Sequence, residues 1–397
     1  MTTAAATAAS SGLTASRWAL LFGNFAIGCG VMVVAGALND LTHSLRISAA
    51  LGGQLIALAA AVMCFGAPLL AAAVAGWDRR RLLTLALVWY ALGHVVSALM
   101  PDYAPLAAVR VVTMLGAAVF TPQAAAAIGS LTPPAERGRA ITFIFLGWSV
   151  ASVLGMPLAS YVGETFGWRY AFALVGVLAA AGAAWVWIVV PNGVKPPALS
   201  LAAWREVFTH PVLMAIVLVT ALQGAGQFTV FSYFAPYYKQ VLGASAAEVS
   251  ALFFWFGACG FVGNVLLTRF IDRIGAARAV AVMVLLIGSS LALWPLAHSV
   301  TAMVLVIMPW GLGCFAANSA QQARLGHAAP ALAPALMALN TSAIYLGQAA
   351  GAAGGGALLT AHGFAALAPV GVLWMVASLA LSLWAGRRAA KAAAHAV

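Results

Sequence analysis

The sequence predicts an all-α integral membrane protein with twelve transmembrane helices. Three observations carry that reading. Twelve apolar segments each run about twenty residues, the length that crosses a bilayer's hydrocarbon core. The chain is 64% hydrophobic and 7% charged, with a mean hydropathy of +1.01, whereas soluble domains carry about 25% charged residues. Finally, fifteen of the nineteen Lys and Arg residues fall on one side of the alternating segments.

The segments are 18–40, 51–74, 82–100, 105–129, 140–162, 170–190, 212–237, 247–268, 277–297, 300–322, 333–359 and 365–386. Each is too long for a buried strand and too apolar for a surface helix, and the alternating polarity of an outer-membrane barrel is absent. Arg17 precedes the first segment. Arg79, Arg80 and Arg81 follow the second, Arg137 and Arg139 the fourth, and Lys195 and Arg205 the sixth. Arg269, Arg273 and Arg278 follow the eighth, Arg324 the tenth, and Arg387, Arg388 and Lys391 the twelfth. The opposite side has only Arg46, Arg169 and Lys239, and Arg110 falls inside the fourth segment. By the positive-inside rule both termini are expected in the cytoplasm. A missed or extra span would scramble this asymmetry.

The longest connection, 191–211, contains Pro191, Pro196 and Pro197 and then an amphipathic stretch, Leu199 to Phe208. The expected organisation is a cytoplasmic tail (1–16), a six-helix bundle (17–190), a cytoplasmic linker (191–211), a second six-helix bundle (212–386) and a tail (387–397). The uncharged, Ala/Thr/Ser-rich start lacks the basic region of a cleaved signal peptide. A 397-residue chain with twelve spans leaves no room for a soluble catalytic or nucleic-acid-binding domain. The net charge of +11 therefore reads as membrane sidedness rather than as a nucleic-acid partner. Cys29, Cys64, Cys259 and Cys314 all lie within segments and lack metal-ligand or disulfide spacing. No metal, cofactor or catalytic residue is expected.

The two halves resemble each other. Gly66–Arg81, at the end of the second segment, aligns with Gly263–Arg278, at the end of the eighth, at an offset of 197. Gly147 and Gly155 of the fifth segment correspond to Gly347 and Gly355 of the eleventh. Internal pseudo-symmetry between helical halves marks secondary transporters.

Several motifs resemble those of the major facilitator superfamily. Gly263-x-x-x-x-x-Arg269-x-x-Asp272-Arg273-x-Gly275 is similar to its loop signature. The first-half copy departs from it, with Ala75 at the usual acidic position and only Arg79, Arg80 and Arg81 remaining. Leu106-x-x-x-Arg110-x-x-x-x-x-Gly116 is similar to the basic fourth-span motif. Gly147, Gly155, Pro157 and Gly163, followed by Gly167-Trp168-Arg169-x-x-Phe172, resemble the fifth-span motif of the antiporter branch and its ending. Gly23–Gly28 through Gly36–Asp40 resembles the twelve-span drug and sugar (arabinose-type) efflux subgroup. The resemblance implies two six-helix bundles related by a two-fold axis along the membrane normal. It also implies alternating access, proton-driven export of a small molecule, a cavity lined by spans one, four, seven and ten, and a monomer. The expected setting is a bacterial inner membrane. The resemblance assigns the loop and fifth-span residues (Arg79, Arg80, Arg81, Gly155, Pro157, Gly263, Arg269, Asp272, Arg273 and Gly275) to conformational gating.

The eight acidic residues leave the middle of every segment without a carboxylate, a group that would mark a proton or cation site. Asp40, at the outer end of the first segment, and Arg110, about 7 Å into the fourth at 1.5 Å per residue, are expected at similar depth. The expectation is that they approach each other, with Asp40 as the proton carrier. The alternative is that Arg110 snorkels to the outer interface and Asp40 caps a helix or faces water. The substrate site is then expected to be mostly uncharged. Its candidates are Asn24, Thr113, Gln223, Gln227, Phe231, Tyr233, Trp310, Asn318, Gln321, Asn340, Tyr345 and Gln348. Gln223, Gln227 and Phe231 form one helical stripe, which equally suits a helix–helix contact. His94 reads as a packing residue or a proton relay. Trp77, Trp168, Trp187, Trp294 and Trp384 read as an interfacial belt. The expected function is export of a drug, sugar, nucleoside or metabolite in exchange for protons. A facilitator or importer on the same fold is the alternative.

Overall fold

A computed structural model of the chain describes residues 2–74, 76–133, 136–195, 201–329 and 332–395. Of these, 2–11, 68, 71–72, 137–139, 142, 201–203, 272, 333–334 and 390–395 are described by backbone alone. Ala75, Pro196, Pro197 and Leu199 lie outside the described residues.

The described chain is helical. In order it forms α1 (Thr2–Gly36), α2 (Leu38–Leu45), α3 (Ala49–Ala73), α4 (Arg79–Ala98), α5 (Tyr103–Leu131) and α6 (Arg137–Val150). A π-helical turn, Ala151–Gly155, then leads into α7 (Met156–Phe166) and α8 (Trp168–Val189). The second half forms α9 (Leu201–Thr209), α10 (Pro211–Phe231), α11 (Phe234–Gln240), α12 (Ala246–Ile274), α13 (Ala276–Leu293), α14 (Val300–Ala328), α15 (Ala333–His362) and α16 (Leu367–His395).

Eleven stretches of the described residues are long and apolar enough to cross a membrane. The expected segment 333–359 is not among them, although it lies within the thirty-residue α15. Asn340, Thr341, Ser342, Gln348 and the run Gly354–Gly356 replace the branched aliphatic residues that raise hydropathy elsewhere. The first and seventh segments are each two helices: α1 ends at Gly36 before α2, and α10 ends at Phe231 before α11. The ends also differ from expectation. Residues 2–16 continue α1, and α16 runs on to His395, because both stretches are rich in Ala, the strongest helix former.

The chain divides into two compact units, Met1–Ile47 with Phe65–Ala198, and Ser48–Cys64 with Leu199–Val397. The first half of α3 thus groups with the second unit, where Gly53 lies against the Tyr233 ring and Gly356 faces Gln54 and Ala50. Within the first unit α1 packs on α6 and α8, and α4 on α5 and α8. Within the second, α10 packs on α15 and α16, and α13 on α14 and α16. The repeat read from sequence is therefore also a repeat of packing. A Cβ on Gly147 would strike Leu21 O and Phe25 N, and one on Gly347 would strike Ala221 O and Ala225 N, the same contacts 200 residues on. Only glycine permits helices to approach this closely.

Candidate functional site

In the first unit the buried polar groups gather where α1, α4, α5 and α8 meet. Arg110 is fully buried, and its Nη2 donates to Val31 O at 3.3 Å. The guanidinium carbon lies 5.9 Å from the centre of the Phe172 ring. Nε and Nη1 have no partner among the described residues. His94, also fully buried, places Nδ1 2.9 Å from Tyr90 O. A carbonyl only accepts, so Nδ1 carries the proton. Tyr90 in turn donates its hydroxyl to Ile27 O at 2.9 Å. Arg110 therefore does not snorkel; it is held inside by the Val31 carbonyl and the Phe172 ring face.

Asp40 and Arg110 do not pair. Asp40 Oδ2 accepts the Trp168 backbone N–H at 2.7 Å, so the carboxylate satisfies one of the free donors at the start of α8. Gly167, at φ +107, turns the chain into that helix. Among the described residues Arg17 forms a salt bridge with Glu136, 3.3 Å apart.

The amides expected to line a cavity mostly pin helices. Asn24 donates to Ile144 O at 3.1 Å and accepts from Thr121 at 3.0 Å. Thr113 bonds back to Val109 O of its own helix at 2.7 Å. In the second unit Trp310 Nε1 donates to Gln227 Oε1 at 2.9 Å, and Tyr233 donates to Ala352 O at 2.7 Å. Gln321 Nε2 donates to Ile216 O, and Thr220 donates to Asn340 Oδ1, both at 2.6 Å. Two atoms of these amides stay buried without a partner among the described residues: Gln321 Oε1, an acceptor, and Asn340 Nδ2, a donor. Their amides bond to residues one turn apart on α10. Gln223 and Tyr345 are buried, while Asn318 and Gln348 are half-buried.

Phe231 belongs to an aromatic group that sequence reasoning did not assemble. Its ring centre lies 5.1 Å from that of Phe234, which stacks on Trp294 at 5.2 Å and meets Trp310 edge-on at 5.0 Å. These rings come from four helical segments, and no spacing in the sequence joins them. Two members of the expected interfacial belt are corrected here. Trp294 is buried in this group, and Trp168 is buried edge-on against Phe172 at 5.3 Å. Trp77, Trp187 and Trp384 are exposed, and Arg80 sits 4.4 Å over the Trp187 ring.

The residues expected to gate have distinct environments. Arg79 is buried and donates to Val74 O and Trp77 O at 3.1 and 2.8 Å. Arg81 N donates to Asp78 Oδ1 at 3.1 Å, and Gly193 N donates to Asp78 Oδ2. Gly155 lies against Cys29 at the end of the π-helical turn, and Pro157 is buried just beyond it. Gly263 lets α12 touch the Leu312 backbone. Arg269 and Arg273 are exposed, and Gly275, at φ +82, turns into α13. The Asp272 side chain lies outside the described residues. All four cysteines are buried and free.

The sequence profile of the Major Facilitator Superfamily matches residues 20–331 and again 216–396. The inner membrane transport protein YdhP of Escherichia coli (strain K12) is 28% identical over 92% of this chain and 94% of its own length. A probable sugar efflux transporter of Pasteurella multocida (strain Pm70) is 27% identical over 87% of this chain and 85% of its own length. A crystal structure of a D-xylose–proton symporter shares the fold with a TM-score of 0.74 at 17% identity, covering 94% of this chain and 97% of that one.

Proposed function

The chain belongs to the Major Facilitator Superfamily, and from that premise we propose that it exports a small neutral or weakly polar solute in exchange for protons. It is a multi-pass membrane protein that transports a small solute. The observation that carries the solute class is the pair Gln321 Oε1 and Asn340 Nδ2. A buried acceptor and a buried donor, each without a partner, cost about 1–3 kcal/mol apiece. A hydroxyl both donates and accepts, so a polyhydroxylated or amide-bearing solute satisfies the two together. The efflux relative named for sugars supports the same class and the outward direction. An inner-membrane setting follows the Escherichia coli relative, and cytoplasmic termini follow the arginine asymmetry. The working unit is a monomer.

In this reading Asp40 carries the coupled proton. Its ionised form makes a charge-assisted bond to Trp168 N, about twice as strong as a neutral one. Protonation therefore loosens the joint between α2 and α8. Arg110, buried without a carboxylate beside it, is the fixed charge toward which ionised Asp40 is drawn as the bundle changes state. The π-helical turn before Pro157 gives the first unit a place to flex. The arginines at the start of α4 (Arg79–Arg81) and at the end of α12 (Arg269 and Arg273) act as gates, each within its own unit.

The test is accumulation of labelled sugars, nucleosides and antibiotics in efflux-deficient bacteria expressing the chain, with and without a protonophore, beside Asp40→Asn. Exclusion of one solute that both the protonophore and the variant abolish is the expected result. Equilibration indifferent to both would replace the exporter with a facilitator, the reading favoured by the lack of a mid-segment carboxylate. Exclusion abolished by the protonophore but not by Asp40→Asn would keep the exporter and remove Asp40 from the coupling.

A further inference from the structure

The two halves differ at one equivalent helix start. At the offset of 197 that aligns Gly66 with Gly263, Asp78 corresponds to Gly275. In the first unit Asp78 caps α4 and carries a fixed negative charge to that helix's N-terminus. In the second unit Gly275 precedes α13 with no side-chain cap. Beside it opens a cavity of about 460 Å³, within the ~300–1,000 Å³ range of small-ligand sites.

The cavity is lined by Arg278, Arg324 and His327, and by apolar residues that include Ile216, Ile274 and Ala389. None of the described residues lining it is acidic. Arg324 is 94% buried on the complement of its 6% exposure. It donates only to the neutral Ser382, from Nη1 to Oγ at 2.8 Å and from Nη2 to the carbonyl O at 3.0 Å, so its charge has no carboxylate among these partners. The end of α14 also borders the cavity, but a helix C-terminus contributes only about half a negative charge. Two guanidinium charges and the α13 N-terminus outweigh it. Buried charges are ordinarily paired, and no described residue lining the cavity supplies a carboxylate.

We propose that this cavity binds a phosphate-bearing anion, with Arg324 and Arg278 as its charge partners and the free N–H groups of α13 as further donors. Helix N-termini of this kind accept phosphate oxygens, and basic pockets between transmembrane helices hold anionic lipid headgroups. The same chemistry fits inorganic phosphate. The apolar wall suits a headgroup whose chains continue into the bilayer. The cavity shares Ile216 with Gln321, whose Nε2 donates to the Ile216 carbonyl, but anion binding there requires no transport step.

The experiment is native mass spectrometry of the full-length protein in detergent with added phosphatidylglycerol, phosphatidylcholine or inorganic phosphate, beside thermal unfolding at matched ionic strength. The expected result is one retained phosphatidylglycerol, favoured at least tenfold over phosphatidylcholine and reduced at least fivefold in Arg278→Gln. Arg278 and His327 are exposed, so Arg278→Gln and His327→Gln carry the test even where Arg324→Gln fails to fold. Displacement of that lipid by millimolar phosphate, with phosphate raising the Tm of the native chain but not of Arg278→Gln, assigns the site to free phosphate. Equal retention of the two lipids together with no response to phosphate overturns the proposal. Retention or a Tm response unchanged in both Arg278→Gln and His327→Gln does the same.

Discussion

The pair α4 and α5 and the pair α13 and α14 are the same construction with different contents. Gly116 brings α5 against Ala86 O, and Gly313, 197 residues later, brings α14 against Met283 O. Around that shared crossing the first unit buries Tyr90, His94 and Arg110, while the equivalent positions in the second hold Ile287, Leu291 and Ile307. The backbone approach has been kept in both halves, and the polar cluster belongs to one. What repeats is the packing needed to assemble helices in lipid; what differs is chemistry. Charge inside the membrane is costly and marks function, so the first unit is where coupling is to be sought. The second holds buried aromatic rings and amides instead.

The largest effects should come from breaking what the halves share. Gly147→Leu and Gly347→Leu each drive a side chain into the backbone of the facing helix. Overpacking of this kind costs ~1–3 kcal/mol where side chains can yield, and backbone yields less, so both variants should lose most folded protein in detergent. Gly354→Ala, with nothing within 4 Å of its new Cβ, should leave the thermal midpoint unchanged. Equal tolerance of all three substitutions would sever the glycine pattern from helix approach.

That pattern was legible because it is written in one residue type at a fixed offset, and so were the helices, through unbroken apolar length. The side-chain partners were not. Asp40 sits near Arg110 in any count of depth along a helix, yet the carboxylate turns to the Trp168 backbone, and depth holds no information on azimuth. Asn24, Gln321 and Asn340 read as cavity wall because amides in a membrane need partners. The sequence does not say that Ile144, Ile216 and Thr220 supply them. Trp168 and Trp294 looked interfacial from their positions near segment ends, and close-packed rings buried them instead.

Substitutions that make one half resemble the other come next. Arg110→Met removes a buried guanidinium with two partnerless nitrogens, each costing about 1–3 kcal/mol when left unsatisfied. The variant should unfold at a higher temperature than the native chain while losing proton-driven exclusion of the solute. A lower midpoint would show that the guanidinium stabilises the first unit and would erase the contrast with Ile307. Trp310→Phe acts on the second unit and keeps an aromatic ring for the edge-on contacts while stripping Gln227 Oε1 of its donor. A destabilisation of about 1–3 kcal/mol is expected, with solute affinity reduced more than the maximal rate. An unchanged affinity would separate the aromatic group from the solute path.

The smallest effect tests the joint that the second unit lacks. Asp40 corresponds to Gln240 at the offset of 200 that relates α1 to α10, and a 3₁₀ turn, Phe364–Ala366, separates Gly363 from α16 whereas α8 follows Gly167 directly. Asp40→Ala removes an acceptor from the start of α8, a change that costs about 1 kcal/mol at helix caps. Asp40→Asn keeps an acceptor and loses the charge, so it should cost only a few tenths of a kcal/mol. The two variants thereby divide the residue's roles. If structure is its whole contribution, transport follows stability, with Asp40→Ala impaired and Asp40→Asn near normal. If its charge couples protons to transport, both variants lose proton-driven exclusion while only Asp40→Ala unfolds at lower temperature, and the pH dependence of exclusion flattens in each.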